Sequence, residues 1–511
     1  MSKVASHSPA SLWKIGEWPN FAEQVPHKSN DVCIVGAGIA GLTCAYLMAM
    51  EGLRVTVLEA SMPGDGETGN TSAHLSSALD DRFTELEELF GVDGSFLAAE
   101  SHRWAIDIIE SICLRENIDC DFERVDGFLF TTETTEIEEL RKEFEAAQRA
   151  GFADLEFLHA PPLSSRRQGA AIRFPNQGQF HPLKYLKGLA AAVQKYGGQI
   201  LPNHEVIDIH GHAAPYTLTT RQGTTHSASH VVIATNTPFN NRFVMHTKQA
   251  AYRTYILTFA IEAGRLNKAL YWDMKDPYHY VRLYQPNEHQ TLLIVGGEDH
   301  KTGQSEDPDR SFAQLETWAR ANFPEAGDVV TRWSGQVMEP VDSLAFIGRN
   351  PGDEGIYIAT GDSGHGLTHG TIAGMLLNDL VHNRSNPWEK LYDPARKARS
   401  FTSLKEFFKE NINVALQYRD YFSPADLSRP SEVSMGEGAI VRHGLQKLAV
   451  YRDHENELHM MSAVCPHLGG IVRWNKVEKT WDCPCHGSRF SCKGEVINGP
   501  AMSNLSKAEM H

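Results

Sequence analysis

The sequence predicts an α/β domain built on a glycine-turned βαβ unit, interleaved with an α+β domain and followed by a separate small C-terminal module. Three observations carry that expectation. Residues 31–59 read as strand, glycine turn, helix and strand; two later stretches alternate aromatic and polar residues as antiparallel strands do; and roughly the last eighty residues hold two short Cys/His motifs. At 511 residues the chain is too long for one compact core and divides into several domains. A formal net charge of −16 argues against nucleic acid or an anionic membrane as a partner, since both need a basic footprint, although an acidic surface can steer a basic redox partner. No charged segment followed by an apolar one opens the chain. The longest apolar run, Ala37 to Met50, is short and glycine-bearing, so the expectation is no membrane span and a cytoplasmic protein.

The first element runs Asp31-Val-Cys-Ile-Val35, Gly36-Ala-Gly38-Ile39-Ala40-Gly41, a helical LTCAYLMAMEG, then Arg54-Val-Thr-Val-Leu58 and Glu59. The first glycine permits a tight turn, the second lets backbone N–H groups approach a pyrophosphate at the helix N-terminus, and the third lets helix and strand pack closely. Glu59, twenty-three residues after Gly36, suits a ribose hydroxyl. FAD and NAD both use this unit, and a βαβ turn without nucleotide is the bland alternative.

Three later segments bear on that choice. Gly66-Glu-Thr-Gly69-Asn-Thr71-Ser72-Ala-His74 follows the second strand and sets small and hydroxyl residues where the chain passes a cofactor. Gly178-Gln-Phe-His-Pro182 leads into a helix over Leu183 to Tyr196, with Leu183, Leu186, Ala190 and Val193 on one face; Gly197-Gly198 stops it and a strand through Val206 follows. Gly355-Ile-Tyr-Ile-Ala-Thr360 reads as a buried strand feeding Gly361-Asp-Ser-Gly364-His365-Gly366 and an apolar helix through Leu380, a second helix N-terminus suited to negative charge.

Near the C-terminus Cys465-Pro-His467 is followed after fifteen residues by Cys483-Pro-Cys-His486. A [2Fe–2S] cluster with two Cys on one iron and two His on the other is a Rieske centre, and imidazole in place of thiolate raises its potential. Zinc is the rival for any Cys/His quartet, but zinc fingers keep the Cys pair and the His pair apart, whereas each motif here supplies one of each.

The text CPHLGG…CPCHGSRF…GEVINGPA resembles the Rieske domain family over roughly the last eighty residues. That resemblance implies a small all-β domain in which Cys465 and Cys483 bind one iron and His467 and His486 the other. Respiratory members carry a Cys where this chain has Gly470, disulfide-bonded to the counterpart of Cys485, so Cys485 is expected to pack. Phe490 stands where they carry a tyrosine that donates to a cluster thiolate, which implies a lower potential here, while Ser488 remains a donor. With two of the eight Cys as ligands and that disulfide missing, a reducing compartment is expected.

The nucleotide-facing segments resemble the FAD-dependent D-amino-acid oxidase family, which includes glycine oxidase, sarcosine oxidase and related amine dehydrogenases, over about residues 30–383. The resemblance implies FAD, with Gly36, Gly38, Ile39, Ala40 and Gly41 on the pyrophosphate and Glu59 and Ala60 at the adenosine ribose. It puts Thr71 and Ser72 along the cofactor, Val206 at the adenine, and Gly361, Gly364, His365 and Gly366 at the flavin ring. The whole is similar to a bacterial FAD–Rieske fusion family. The implied domains are a lead over 1–29, a flavoprotein over 30–383, a helical linker over 384–430 and the Rieske domain over 431–511. Within the flavoprotein, FAD-binding parts fall near 30–74, 178–239 and 341–383, and substrate parts near 75–177 and 240–340.

In the substrate parts, Tyr252-Arg-Thr-Tyr255 and Tyr278-His-Tyr280-Val-Arg282-Leu-Tyr284 suit antiparallel strands with one packed face. Arg282 is a candidate to hold a substrate carboxylate, or else a solvated strand residue. His74, His365 and His369 draw notice; the last two have the i, i+4 spacing of a helical metal pair, without a third ligand. In the linker, a Ser403-x-x-Glu406 capping box opens an apolar-striped helix expected to reach Phe422.

No second G-x-G-x-x-G follows a strand, so electrons are expected from an organic substrate and not from NAD(P)H. The expected activity is a flavin dehydrogenase. A small molecule, by resemblance an amine or amino acid, is oxidised, and electrons pass singly through the cluster to an external acceptor protein or quinone. Two alternatives stay open: the cluster as electron entry to a flavin reductase or oxygenase, and a carrier or sensor without turnover.

Overall fold

The computed structural model describes residues 11–13, 15–21, 29–163, 168–239, 245–304, 307–397, 413–414, 417–421, 423–444 and 446–508. Most of the helix expected from Ser403 to Phe422 lies outside them; Tyr418–Tyr421 form one 3-10 turn.

Apolar residues on both faces of Asn30–Val35 and Val55–Leu58 make those strands fit only the inside of a sheet covered on both sides. They lie at the centre of an eight-stranded sheet. Its order is Phe346–Arg349, Ile356–Thr360, Thr225–Ile233, Asn30–Val35, Val55–Leu58 and Gln199–Leu201, with Val206–His210 and Tyr216–Thr220 attached at the side. Its four central pairings are parallel, with Val32 opposite both Val55 and His230. The expected helix forms as Pro182–Lys195, capped by the His181 side chain, which accepts from Lys184 N–H at 3.2 Å.

Two helices start at the carboxyl edge of this sheet, Ile39–Met50 and Gly366–Val381. They run parallel in close contact because the second bears glycines at the crossing. A Cβ on Gly370 would lie 2.7 Å from Ile39 Cγ2, and one on Gly374 would lie 2.4 Å from Thr43 Cγ2. Both N-termini are thereby drawn to one spot.

The second layer is a nine-stranded sheet in the order Val329–Pro340, Gln249–Ile261, Gln290–Lys301, His279–Asn287, Ala269–Asp273, Glu123–Thr131, Ala170–Gln179 and His74–Leu75, with Glu156–Leu158 paired to Ala170–Gln179. The alternating aromatic segments take their expected antiparallel pairings. Helix Phe83–Glu116, interrupted at Gly91 where φ is 75°, packs behind it. The C-terminal domain is all-β, a three-stranded sheet (Gly438–His443, Gln446–Arg452, Leu458–Ser462) and a four-stranded one (Arg473–Asn475, Thr480–Asp482, Arg489–Ser491, Val496–Asn498) around Ala449, Trp481 and Phe490.

Sequence alone separates the flavoprotein from the C-terminal domain; the structure fuses them. Arg253 on Gln249–Ile261 is buried against Glu478 and Ser334, Ser334 donates to Glu478 at 2.5 Å, and Glu478 in turn accepts from Arg489 at 2.6 Å. Arg489 also meets Asp482 at 3.1 Å. Charges this deeply desolvated hold only when each is matched, so the network fixes one docking geometry.

Candidate functional site

A cavity of about 450 Å³ lies between the two layers, at the N-termini of Ile39–Met50 and Gly366–Val381. Neither helix has a side-chain cap or an acidic residue in its first turn, so both present uncompensated positive dipole ends. The glycine turn is sterically obligatory: a Cβ on Gly41 would sit 1.9 Å from Gly36 O, and one on Gly36, at φ +104°, 2.5 Å from Ala234 O. Gly36, Gly38, Ile39 and Ala40 line the cavity, while Gly41 packs beneath them. Glu59 lines it as well, accepting from Ala37 N–H at 2.7 Å and Ser61 N–H at 2.8 Å, with Ala60 beside it. Thr71, Ser72, Val206, Gly361, Gly364, His365 and Gly366 complete the set of wall residues singled out from sequence.

At the opposite end the wall is aromatic and acidic. Trp272, Tyr278 and Tyr280 face Asp80, and Tyr278 Oη donates to Asp80 Oδ2 at 2.8 Å. Gly364, at φ +72°, admits Asp80 closely, since a Cβ there would lie 2.7 Å from Asp80 Oδ2. His365 Nε2 accepts from Asp80 N–H at 3.0 Å and lies 3.4 Å from Asp80 Oδ2. Burial alone lowers His365, but the charge and hydrogen bond of Asp80 outweigh it and raise the imidazole above its ordinary value. Burial likewise raises Asp80, and His365 and Tyr278 bring it below the carboxylate range. Behind them, Ser363 Oγ lies 2.7 Å from Asp81 Oδ2 and 2.9 Å from Glu339 Oε2. One hydroxyl proton cannot serve both. Burial and Asp81 hold Glu339 well above the usual range, so Glu339 keeps the proton that completes the chain.

Arg282 neither reaches the cavity nor meets solvent. It is 1 % exposed, donates to Ala73 O at 2.5 Å and Phe180 O at 3.3 Å, and stacks near Trp13 and Tyr284, a clamp between two chain segments. His369 bonds to Asp362 O at 2.9 Å and to His102 Nε2 at 3.2 Å, a partner 267 residues away. His74, pushed down to about 3 chiefly by burial and next by Arg282, is a neutral wall residue bonded to Ser72.

The four C-terminal ligand candidates sit on two loops of the same design. Cys465 N bonds to Gly470 O and Gly469 N to Cys465 O; Cys483 N bonds to Ser488 O and Gly487 N to Cys483 O. Both Cys are buried, and the His467 and His486 rings stand 5.0 Å apart at 88°, half-buried at the tip. Two thiols inside and two imidazoles outside are the donor set a Rieske cluster needs. The Ser488 hydroxyl accepts from Ala501 N–H at 3.1 Å. A Cβ on Gly470 would lie 2.5 Å from Cys485 Sγ, so Cys485 packs there. Tyr418 and Tyr421 brace the first loop through Leu468 O and Gly469 O.

Sequence reading missed how these two centres meet. Gly487, next to His486, rests on the flavoprotein: a Cβ there would lie 2.2 Å from Ala251 Cβ and 3.3 Å from Gln336 Nε2, and Gln336 lines the cavity. Residues 496–499, 501 and 502 form another part of the wall, tied down by Asn498 Nδ2 to Glu67 Oε1 at 3.0 Å and by Arg221 to Met502 O at 2.8 Å. No local motif announces contacts across such separations. Asp80 had one available signal, its place just after the 66–74 segment.

A model of the FAD dependent oxidoreductase family matches residues 31–380, and a model of the Rieske [2Fe-2S] domain matches residues 423–509. The chain belongs to the FAD-dependent oxidoreductase family. It is an FAD-dependent oxidoreductase with a Rieske domain, and its cofactors are FAD and a [2Fe–2S] cluster. A Bacillus subtilis protein described as a Rieske 2Fe-2S iron-sulfur protein, YhfW, is 30% identical over 514 residues, covering 99% of each chain. The gamma-glutamylputrescine oxidoreductase of Escherichia coli is 27% identical over 389 residues, covering 74% of this chain and 89% of its own. Glycine oxidase from Geobacillus kaustophilus shares the fold, with a TM-score of 0.61 at 20% identity over 72% of this chain and 99% of its own. Among the described residues no helix is long and apolar enough to cross a membrane.

Proposed function

We propose that this protein is a dehydrogenase that oxidises a small amine or amino acid at FAD and sends the electrons one at a time through the Rieske cluster to an external acceptor. The observation that carries this is the shared wall: Gln336 lines the FAD cavity on one side and meets the backbone at Gly487, beside the ligand His486, on the other. When bound, FAD supplies a two-electron acceptor and the cluster a one-electron centre. In the reaction the substrate carbon gives up a hydride and its ammonium nitrogen a proton, leaving an iminium that water hydrolyses to a carbonyl and ammonium. Two equivalents of a one-electron acceptor, a protein or a quinone, take up the electrons.

The chain's residues divide the remaining work. Gly38 and Ala40 offer backbone N–H groups to the pyrophosphate beside Ile39, whose N–H rests on Thr68 Oγ1 at 3.2 Å; Gly36, with its N–H on Leu58 O at 2.9 Å, and Gly41 let the turn close, and Glu59 with Ala60 holds the ribose end. Thr71, Ser72 and Val206 flank the cofactor, and the helix start at Gly361, Gly364, His365 and Gly366 faces the flavin with its positive dipole end. Asp80 and His365 meet at the reacting end, where the imidazole, its Nε2 turned to the Asp80 N–H, is placed to take up a proton. Cys465, Cys483, His467 and His486 hold the cluster. The test is anaerobic addition of amines and amino acids to the holoenzyme. A substrate should bleach the flavin and bring up the reduced-cluster EPR signal, and His486→Ala should keep the bleaching while losing turnover with a one-electron acceptor. Full turnover of His486→Ala with that acceptor would overturn the proposal.

A further inference from the structure

We infer that the reacting end of the cavity takes an ammonium group whose neighbouring carbon carries no carboxylate, so that the substrate is an alkyl amine or polyamine cation and not an α-amino acid. The inference rests on the dehydrogenase reading for its chemistry, but on the shape and charge of the cavity for its substance.

No Lys or Arg lines the cavity among the described residues. A substrate carboxylate buried there would find no Lys or Arg, and His365, the imidazole of raised pKa in the wall, is already set against Asp80; an unpaired buried charge costs several kcal/mol. Two arginines that act on this end from behind the wall donate to backbone carbonyls, Arg282 to Ala73 O and Phe180 O and Arg82 to Asp273 O at 3.1 Å. An ammonium ion, by contrast, finds everything it needs. Trp272, Tyr278 and Tyr280 bring aromatic rings to the wall, a ring type that attracts cations through its quadrupole, and Asp80 adds a carboxylate to the same wall.

The Tyr278 hydroxyl is oriented to help. Tyr278 donates its proton to Asp80, and Tyr280 Oη lies 2.8 Å from Thr254 Oγ1. With the Tyr278 proton directed at Asp80, the lone pairs of that phenol oxygen are left for a donor such as N–H⁺.

The surrounding charge points the same way. Arg82 and Arg282 act on Asp80 and His74 from behind the wall, His365 is cationic only when protonated, and His74 and His369 are held neutral by burial. Facing them are Asp80, Asp81, Asp299, Glu339 and Asp362; burial, and for Asp81, Asp299 and Glu339 also mutual repulsion, hold all but Asp80 above their ordinary values. An entering cation relieves that repulsion, whereas an anion adds to it.

The test uses binding, so that failure of electron transfer to the cluster cannot be mistaken for failure of this inference. The oxidised holoenzyme is titrated with tetramethylammonium chloride and, separately, with sodium butyrate at constant ionic strength, and the flavin absorption is followed. Tetramethylammonium should perturb the flavin spectrum with saturation and butyrate should not. Asp80→Asn should weaken the ammonium at least tenfold, and Tyr280→Leu, which removes the ring while keeping an apolar side chain, should do the same should the first variant fail to fold. Saturable binding of butyrate with none of tetramethylammonium, no perturbation by either, or unchanged ammonium affinity in folded Asp80→Asn or Tyr280→Leu would each overturn it.

Discussion

Replacing Glu478 with Gln asks whether the Rieske domain is fixed to the flavoprotein or merely tethered to it. The Glu478 side chain is 6 % exposed, between Arg253 at 2 % and Arg489 at 6 %. Arg253 Nε and Nη1 have no hydrogen-bond partner among the described residues, so its charge leans on Glu478. Removing one member of a buried ion pair costs about 3–5 kcal/mol, because the charge left behind stays desolvated. Asp482 remains near both arginines, which sets the expectation at the lower end, about 3 kcal/mol. That corresponds to roughly two orders of magnitude in the undocked population. Native-state hydrogen exchange over Arg473–Ser491 should lose protection by that factor, and FAD should dissociate faster because residues 496–502 no longer hold their part of the wall. The exposed pair of Lys476 with Asp307 supplies the control, and Lys476→Ala should leave protection unchanged. Wild-type protection and FAD retention in Glu478→Gln would refute a fixed interface.

Gly41→Ala should abolish FAD loading, since its Cβ overlaps Gly36 O and relief means opening the turn, at about 3 kcal/mol or more; a yellow variant would contradict this. Glu59→Ala should weaken FAD by roughly 1.5–3 kcal/mol, measured by equilibrium dialysis of apoprotein with FAD. Asp299, pushed up to about 7 chiefly by burial and next by Asp80, keeps a proton in the folded chain that an unfolded carboxyl has already released. Stability therefore falls as pH rises from about 4 to about 7, by at most about 4 kcal/mol, and Asp299→Asn should regain it at pH 8 and gain nothing at pH 4 in denaturant unfolding. Phe490→Tyr should raise the cluster midpoint by roughly 40 mV if its hydroxyl donates to a cluster thiolate, read by voltammetry of the whole protein. A fixed or falling midpoint would show that Phe490 does not occupy the tyrosine's place.

What was legible in the sequence was whatever chemistry demands at fixed short spacing. Gly36, Gly38 and Gly41 show themselves because a strand-to-helix turn over a pyrophosphate tolerates little else, and Cys465, His467, Cys483 and His486 because a cluster dictates the donor set. Alternation of Tyr252 to Tyr255 and of Tyr278 to Tyr284 disclosed strands, but not that Tyr278 would meet Asp80, 198 residues away. Arg282 shows the limit most plainly. An arginine on a strand looks the same in sequence whether it meets solvent, a carboxylate or, as here, two backbone carbonyls. The docking of Glu478 on Arg253, 225 residues apart, left no local mark because either residue alone is an ordinary surface charge.

The central claim is the direction of electron flow, from substrate through FAD to the Rieske cluster across the wall formed by Gln336 and Gly487. Anaerobic rapid mixing of the oxidised holoenzyme with an amine substrate, followed by diode-array absorption and freeze-quench EPR, tests it directly. Flavin bleaching should come first, and the reduced-cluster signal should then rise as one electron leaves the flavin. A cluster reduced before the flavin, or a flavin that stays fully reduced beside an oxidised cluster, would contradict the claim.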